Sequence, residues 1–252
     1  MKLPVAGLYV IVDPAASGVF RFHARWWLPS PQVSSHGGRR HEDGTLLKLP
    51  IAGLYVIIDP AACARRAPAE VARLALEGGA SLLQWRDKLR DKGDQLADAR
   101  AIAALCREHG ALFIVNDQAD LAIAADAHGV HLGQHDLPIE AVRPIVGPGM
   151  IIGVSTNNAS EARAAESAGA DYVAVGAIFP TSSKDVTRPA SIERLREVKA
   201  AVRVPVIAIG GIREDNIRAV VDAGADGAAV ISAVCGAADP RTAASALADA
   251  WR

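Results

Sequence analysis

The sequence is poor in cysteine, in aromatic side chains and in net charge. Cys63, Cys106 and Cys235 are the three cysteines among 252 residues, and no two of them form a C-x-x-C pair. This pattern argues against a zinc site or a disulfide framework and favours a reducing cytoplasm. The formal net charge is −1, so no basic field is available to recruit nucleic acid or an anionic membrane. Any anionic ligand must therefore be held by local groups.

No apolar run reaches the length of a membrane span, but one apolar segment occurs twice. Residues 2–16 read KLPVAGLYVIVDPAA and residues 48–62 read KLPIAGLYVIIDPAA. Because the first copy recurs inside the chain, we interpret it as a strand sequence and not as a signal peptide. Residues 17–47 are rich in proline, glycine and charge and lack a regular period, which predicts a loop or disordered linker. The prediction is an N-terminal extension over 1–47 and a catalytic domain over 48–252.

The composition of the chain is typical of strands that alternate with helices. Half of the chain is hydrophobic although only 4% is aromatic, as expected where buried parallel strands rich in Val, Ile and Leu alternate with Ala-rich helices. The predicted strands are 53–58, 81–86, 112–116, 129–132, 151–154, 172–176, 205–209 and 227–231. Eight such units predict a (β/α)8 barrel. The alternative, an open doubly wound sheet, lacks a G-x-G-x-x-G motif after its first strand.

Polar residues follow the predicted strands, which is where a barrel of this type carries its chemistry. Asp117 and Asp136 follow neighbouring predicted strands and are suited to hold a hard cation such as Mg²⁺ together with phosphate oxygens. Arg86 and Lys88 alternate along one segment and are suited to bind several phosphate oxygens. Lys184 supplies a third cation.

A second anion site is predicted after strands 7 and 8. Gly210-Gly211 and Ile231-Ser232 lie at the usual phosphate site of this fold, where backbone N–H groups face the anion. Thr181 and Ser183 add hydroxyl donors. Two anion sites and one metal, without an evident nucleophile–base pair, suit the displacement of pyrophosphate better than acyl or hydride transfer.

At these residues the chain resembles the thiamine-phosphate synthase family. The matching segments are Gln84–Lys88, Val115–Asp117, Gly129–Asp136, Gly153–Ser155, Gly176–Lys184, Ala208–Ile212 and Val230–Ser232. The resemblance covers about 53–235, and it implies a (β/α)8 transferase of thiamine biosynthesis. Such an enzyme joins hydroxymethylpyrimidine pyrophosphate to thiazole phosphate with Mg²⁺, and it releases pyrophosphate by a dissociative displacement.

The resemblance also implies a role for each matching residue. The implied ligands of the pyrimidine pyrophosphate are Gln84, Arg86, Lys88, Asn116, Ser155 and Lys184, of which Arg86, Lys88, Ser155 and Lys184 are the catalytic candidates. The implied metal ligands are Asp117 and Asp136, and the implied ligands of the thiazole phosphate are Thr181, Ser183, Gly211, Ile231 and Ser232. Two positions depart from the family: Trp85 replaces a smaller aliphatic residue and Ser183 replaces a threonine.

Other functions of the same fold are not excluded by these residues. A thiazole tautomerase would not need the two aspartates, and a phosphosugar isomerase would leave Arg86, Lys88 and Lys184 without a second anion. A non-catalytic phosphate-binding barrel is a further alternative. His131 is predicted to pack in the barrel and His135 to lie in a loop, neither with a catalytic role. The expected partners are small phosphorylated molecules, and the oligomeric state stays open, a homo-oligomer included.

The duplicated segment generates the first testable prediction. Only one copy can form the first barrel strand, and the downstream copy is favoured because its connection to the first helix is short. Deletion of residues 1–46 is therefore expected to leave catalytic activity unchanged and the free energy of unfolding within about 0.5 kcal/mol, as measured by steady-state kinetics and urea denaturation. A large loss of either would show that the extension is part of the working fold.

Overall fold

The computed structural model describes residues 50–181 and 190–251. The predicted extension over 1–47 lies outside the described residues, as do Ser183 and Lys184. The strand that begins the barrel is Gly53–Ile58. The downstream copy of the duplicated segment therefore forms the first strand, as predicted.

Eight parallel strands form a closed barrel, which confirms the predicted fold. They are β1 (Gly53–Ile58), β2 (Leu82–Trp85), β3 (Leu112–Asn116), β4 (Gly129–Leu132), β5 (Ile151–Thr156), β6 (Tyr172–Val175), β7 (Val206–Ile209) and β8 (Gly227–Val230). Each strand pairs with the next, and β1 pairs with β8 in the register Gly53 beside Gly227 and Val56 beside Val230. Most strand boundaries agree with the prediction to within a residue, while β5 runs two residues further, to Thr156.

Helices separate the strands and cover the barrel. The α-helices are α1 (Pro68–Glu77), α2 (Lys92–His109), α3 (Ala119–Ala124), α4 (Ile139–Val146), α5 (Ala159–Ser167), α6 (Ile192–Ala201), α7 (Ile217–Asp222), α8 (Ser232–Cys235) and α9 (Pro240–Trp251). A short 3₁₀ helix, η1 (Pro60–Ala62), follows β1. Neither η1 nor α8 was predicted, because three or four residues are too few to show a helical period. No helix among the described residues is long and apolar enough to cross a bilayer.

Two apolar layers hold the barrel together. The inner layer fills the barrel with side chains such as Tyr55, Leu82, Ile114 and Tyr172, and the outer layer packs the opposite strand faces against the helices. This division follows from the period of two along each strand, which sends successive side chains to opposite faces. The three cysteines are buried and free.

The first and last α-helices of the described barrel, α1 and α9, pack against each other. Gly78, at the end of α1, faces α9: a Cβ atom there would lie 2.5 Å from the Arg241 carbonyl oxygen and 2.6 Å from the Ala244 Cβ. Substitution at this glycine must therefore push the two helices apart.

We expect Gly78→Ala to lower the free energy of unfolding by about 1–3 kcal/mol, the usual cost of overpacking. The matched control is Gly93→Ala in the first turn of α2, where a Cβ atom would meet nothing within 4 Å. The control should be neutral or stabilising by up to about 1 kcal/mol, because alanine favours a helix over glycine. Urea denaturation measures both values, and equal effects in the two variants would contradict this account of the contact.

Candidate active site

Asp59 and Arg86 form an ion pair at the carboxyl ends of β1 and β2. Asp59 is only 8% exposed; its Oδ1 accepts a hydrogen bond from the Ala61 N–H (3.0 Å) at the start of η1, and its Oδ2 pairs with Arg86 Nη1. Ile58 lies beside Trp85 in the parallel register, so the residues that follow them are neighbours. The guanidinium group is thus held at the rim before any ligand arrives.

The loop between β2 and α2 is held by Asp87, which is buried. Its Oδ1 accepts hydrogen bonds from the N–H groups of Leu89 (2.9 Å) and Arg90 (3.2 Å), and its Oδ2 pairs with Arg90 Nε at 2.5 Å. Burial by itself would raise the pKa of Asp87, but these hydrogen bonds lower the pKa below its ordinary value. The carboxylate stays ionised and fixes the backbone on either side of Lys88.

Trp85 anchors the same loop from the outside of the barrel. Its side chain is buried among the residues between sheet and helices, and its Nε1 donates to Gln95 Oε1 in α2 at 3.0 Å. Gln95 Nε2 in turn donates to the Arg90 carbonyl at 2.7 Å, and the Arg90 guanidinium lies 5.5 Å from the centre of the indole ring. The departure at Trp85 is therefore accommodated in the outer layer, away from the barrel interior.

Asp117 lies within reach of Asp136 and of Lys88. Asp117 directly follows β3 in the left-handed region (φ +59°), which aspartate tolerates better than most residues, and its Oδ2 pairs with Lys88 Nζ. Asp136 Oδ2 accepts a hydrogen bond from the Gly133 N–H at 2.7 Å. Burial raises the pKa of Asp117, the Asp136 carboxyl within hydrogen-bonding reach raises it further, and Lys88 acts in the opposite direction.

This donor set fits a divalent cation. Two carboxyl groups in contact repel each other when both are ionised, and a cation between them removes the repulsion. Across residues 50–181 and 190–251, no group of three or more His, Cys, Asp or Glu side chains is placed to hold a metal ion. The remaining ligands would be phosphate and water oxygens, which is the usual coordination of Mg²⁺ in proteins.

A chain of polar side chains crosses the barrel interior below this rim. Gln84 Nε2 donates to the Tyr55 hydroxyl at 2.7 Å, the Tyr55 and Tyr172 hydroxyls are 3.1 Å apart, and Tyr172 contacts His131 Nδ1 at 3.0 Å. His131 Nε2 lies 2.9 Å from Ser155 Oγ. The chain connects Gln84 with Ser155, two residues predicted to bind the same substrate. His131 is buried, as predicted.

A cavity of about 770 Å³ opens on the other half of the rim. Its walls include the predicted phosphate ligands and the β4–α4 loop, namely Thr181, Gly211, Ile231, Ser232, Ser155, Gln134 and His135. Gly211 has a φ of +64°, and a Cβ atom there would lie 2.5 Å from the Pro180 carbonyl oxygen, so this close approach of the chain requires glycine. Ile231 precedes the first turn of α8, so backbone N–H groups lie at this wall.

Comparisons with known proteins agree with this arrangement. The family model for thiamine monophosphate synthase matches residues 54–234. The chain is 54% identical to the thiamine-phosphate synthase of Chlorobium limicola over 72% of this chain and 87% of that protein, and 49% identical to that of Moorella thermoacetica over the same shares. The chain belongs to the thiamine monophosphate synthase family. A solved structure, the thiamine phosphate pyrophosphorylase from Pyrococcus furiosus, superposes with a TM-score of 0.73 at 43% identity and covers 79% of this chain and 95% of that one.

The described residues among the predicted site residues lie in two groups at the carboxyl end of the barrel strands. Gln84, Arg86, Lys88, Asn116, Asp117 and Asp136 lie on the β1–β4 half, and Thr181, Gly211, Ile231 and Ser232 line the cavity. Ser155, on β5, belongs to the cavity wall and also ends the interior chain. The roles predicted for Ser183 and Lys184 concern a segment that the structure does not describe.

Several residues in contact with the predicted site residues were not identified from the sequence. Asp59 directly follows a strand, as Asp117 does, and this position could have identified it as a candidate site residue. Asp87 lay within the matched segment but was given no role. Tyr55 and Tyr172 carry no motif, and they contact each other across 117 residues of sequence, so only the barrel geometry brings them together.

Proposed function

We propose that the chain is a thiamine-phosphate synthase, which joins hydroxymethylpyrimidine pyrophosphate to thiazole phosphate. The observation that carries the proposal is the pairing of Asp117 with Asp136 and Lys88 on one half of a rim whose other half is a cavity ending at Gly211 and Ser232. One substrate brings a pyrophosphate and the other a phosphate. The two halves of the rim offer each of them a separate set of groups.

The β1–β4 half would bind the pyrimidine pyrophosphate. Arg86 and Lys88 are each paired with a carboxylate, so their charges are already oriented and phosphate oxygens can replace or share those partners. Bound between Asp117 and Asp136, Mg²⁺ would neutralise negative charge that develops on the departing pyrophosphate. Lys184 is proposed as a further cation on this ligand.

The cavity would bind the thiazole phosphate. The backbone N–H groups around Gly211 and at the start of α8 are suited to an anion, and Thr181 and Ser232 add hydroxyl groups at the same wall. Ser183 is proposed to add another hydroxyl. Ile231 is buried and lines the same cavity.

The chemical step would be a dissociative displacement. The bond between the pyrimidine methylene carbon and the pyrophosphate oxygen breaks, and its electron pair leaves with pyrophosphate. The lone pair of the thiazole nitrogen then forms the new bond to the methylene carbon. No protein nucleophile is needed, so the protein contributes orientation through Gln84, Asn116 and Ser155 and charge stabilisation through Arg86 and Lys88.

The residues favour this activity over the related alternatives. A thiazole tautomerase has no use for a carboxylate pair that binds a metal pyrophosphate, and a sugar-phosphate isomerase has no second anion for Arg86 and Lys88. We further propose that the chain works in the cytoplasm on small phosphorylated molecules, because its three buried thiols suit a reducing compartment. Residues 1–47 are proposed to be a separate extension.

The direct test is product formation by the full chain with both substrates and Mg²⁺, followed by chromatography of thiamine phosphate. Asp117→Asn should lower kcat by at least about 100-fold, because it removes charge from the proposed metal site, while thiazole phosphate binding measured by calorimetry stays unchanged. Asp222→Asn in α7, whose carboxylate pairs with Arg218 on the surface, is the matched control and should retain full activity.

Absence of thiamine phosphate with well-folded protein would refute the proposed function. Full turnover by Asp117→Asn would instead show that Asp117 is not a metal ligand, without contradicting the proposed function.

A further inference from the structure

The five side chains of the interior polar chain form one continuous hydrogen-bonded path through the apolar centre of the barrel. Gln84 and Ser155 are its ends, and Tyr55, Tyr172 and His131 are its middle members. The two tyrosines are at most 1% exposed. Bulk water therefore cannot take the place of a missing partner, and each hydroxyl must satisfy its hydrogen bonds within the path.

The direction of every hydrogen bond follows from the Gln84 end. An amide nitrogen can only donate, so the Tyr55 oxygen accepts from Gln84, and we assign the single Tyr55 hydrogen to the Tyr172 oxygen, its other partner in the path. The Tyr172 hydrogen is then directed to His131 Nδ1. A neutral imidazole that accepts at Nδ1 carries its hydrogen on Nε2, and this hydrogen points to Ser155 Oγ.

The path thus fixes how the hydrogen-bonding groups of its two end residues, Gln84 and Ser155, are oriented. Because Gln84 turns its amide nitrogen toward Tyr55, its carbonyl oxygen lies on the other side of the amide group and is available as an acceptor. Because its oxygen accepts from His131, Ser155 directs its hydroxyl hydrogen away from the imidazole, and this residue lines the cavity. We propose that Tyr55, Tyr172 and His131 are positioning residues, which hold the Gln84 amide with its carbonyl oxygen available to the pyrimidine substrate and make Ser155 a donor toward the same substrate; this inference rests on the proposed function.

Two further features of the barrel support the path. A Cβ atom at Gly153 on β5 would collide with the Tyr172 ring, so the absence of a side chain at this position leaves the space that the ring occupies. Burial raises the pKa of both tyrosines well above the ordinary value, so both phenols keep the hydrogen that the path needs. Tyr172 also stacks on the His131 ring, with centroids 5.5 Å apart, which restrains the imidazole.

The test is Tyr172→Phe, which removes one hydroxyl and keeps the ring. Two neutral hydrogen bonds are lost, so we expect KM for hydroxymethylpyrimidine pyrophosphate to rise about tenfold and KM for thiazole phosphate to stay unchanged. Imidazole ¹⁵N chemical shifts of the substrate-free protein give an independent measurement, with His131 assigned by its loss in His131→Asn. The wild type should show a single tautomer protonated at Nε2, and Tyr172→Phe should show a mixture.

The control is Ile102→Val in α2, a buried residue of the outer layer. It should lower the unfolding temperature and leave both KM values and the tautomer unchanged, which separates positioning from general loss of packing. An unchanged pyrimidine KM in Tyr172→Phe, or a wild-type His131 protonated at Nδ1, would overturn the inference. If the wild type forms no thiamine phosphate, the proposed function fails; the inference is then decided by the tautomer and by calorimetric binding of the pyrimidine pyrophosphate.

Discussion

The pairing of β1 with β8 is the constraint on which the rest of the molecule depends. With Val56 beside Val230, the residues that follow these strands, Asp59 and Ser232, reach the same rim. Because the barrel is closed, its eight strand ends form one ring, although they are spread over some 180 residues of sequence, the region that the family model matches. The cavity and the charged half of the rim become neighbours only because the sheet has no open edge.

Within that ring, acidic residues from adjacent strands hold the basic ones. Asp59 pairs with Arg86 across the β1–β2 boundary, and Asp117 pairs with Lys88 across the β2–β3 boundary. These cations are therefore oriented before a substrate binds, which reduces the ordering that binding requires. The same carboxylates compensate the cations in the free protein, so the rim can carry a strong local charge pattern in a chain with a net charge of −1.

The eight strand–helix units were predictable because each has a local sequence pattern, an apolar run followed by polar residues. The approach of Asp117 to Asp136 was predictable for the same reason, since each follows one of two neighbouring strands. The ion pair of Asp59 with Arg86 depends on strand register, and the contact of Tyr55 with Tyr172 depends on closure, so neither has a local signature. Trp85 could be recognised as unusual, but its outward packing on Gln95 required the structure.

The central claim is that one rim carries two anion sites, of which the site on the β1–β4 half requires a metal and the site in the cavity does not. Calorimetric titration of the full chain with pyrophosphate and with thiazole phosphate, each with and without Mg²⁺, tests it most directly. The account predicts that Mg²⁺ strengthens pyrophosphate binding by at least about tenfold and leaves thiazole phosphate binding unchanged, with the Mg²⁺ effect lost in Asp117→Asn. Equal responses of the two ligands to Mg²⁺, or an undiminished effect in that variant, would contradict it.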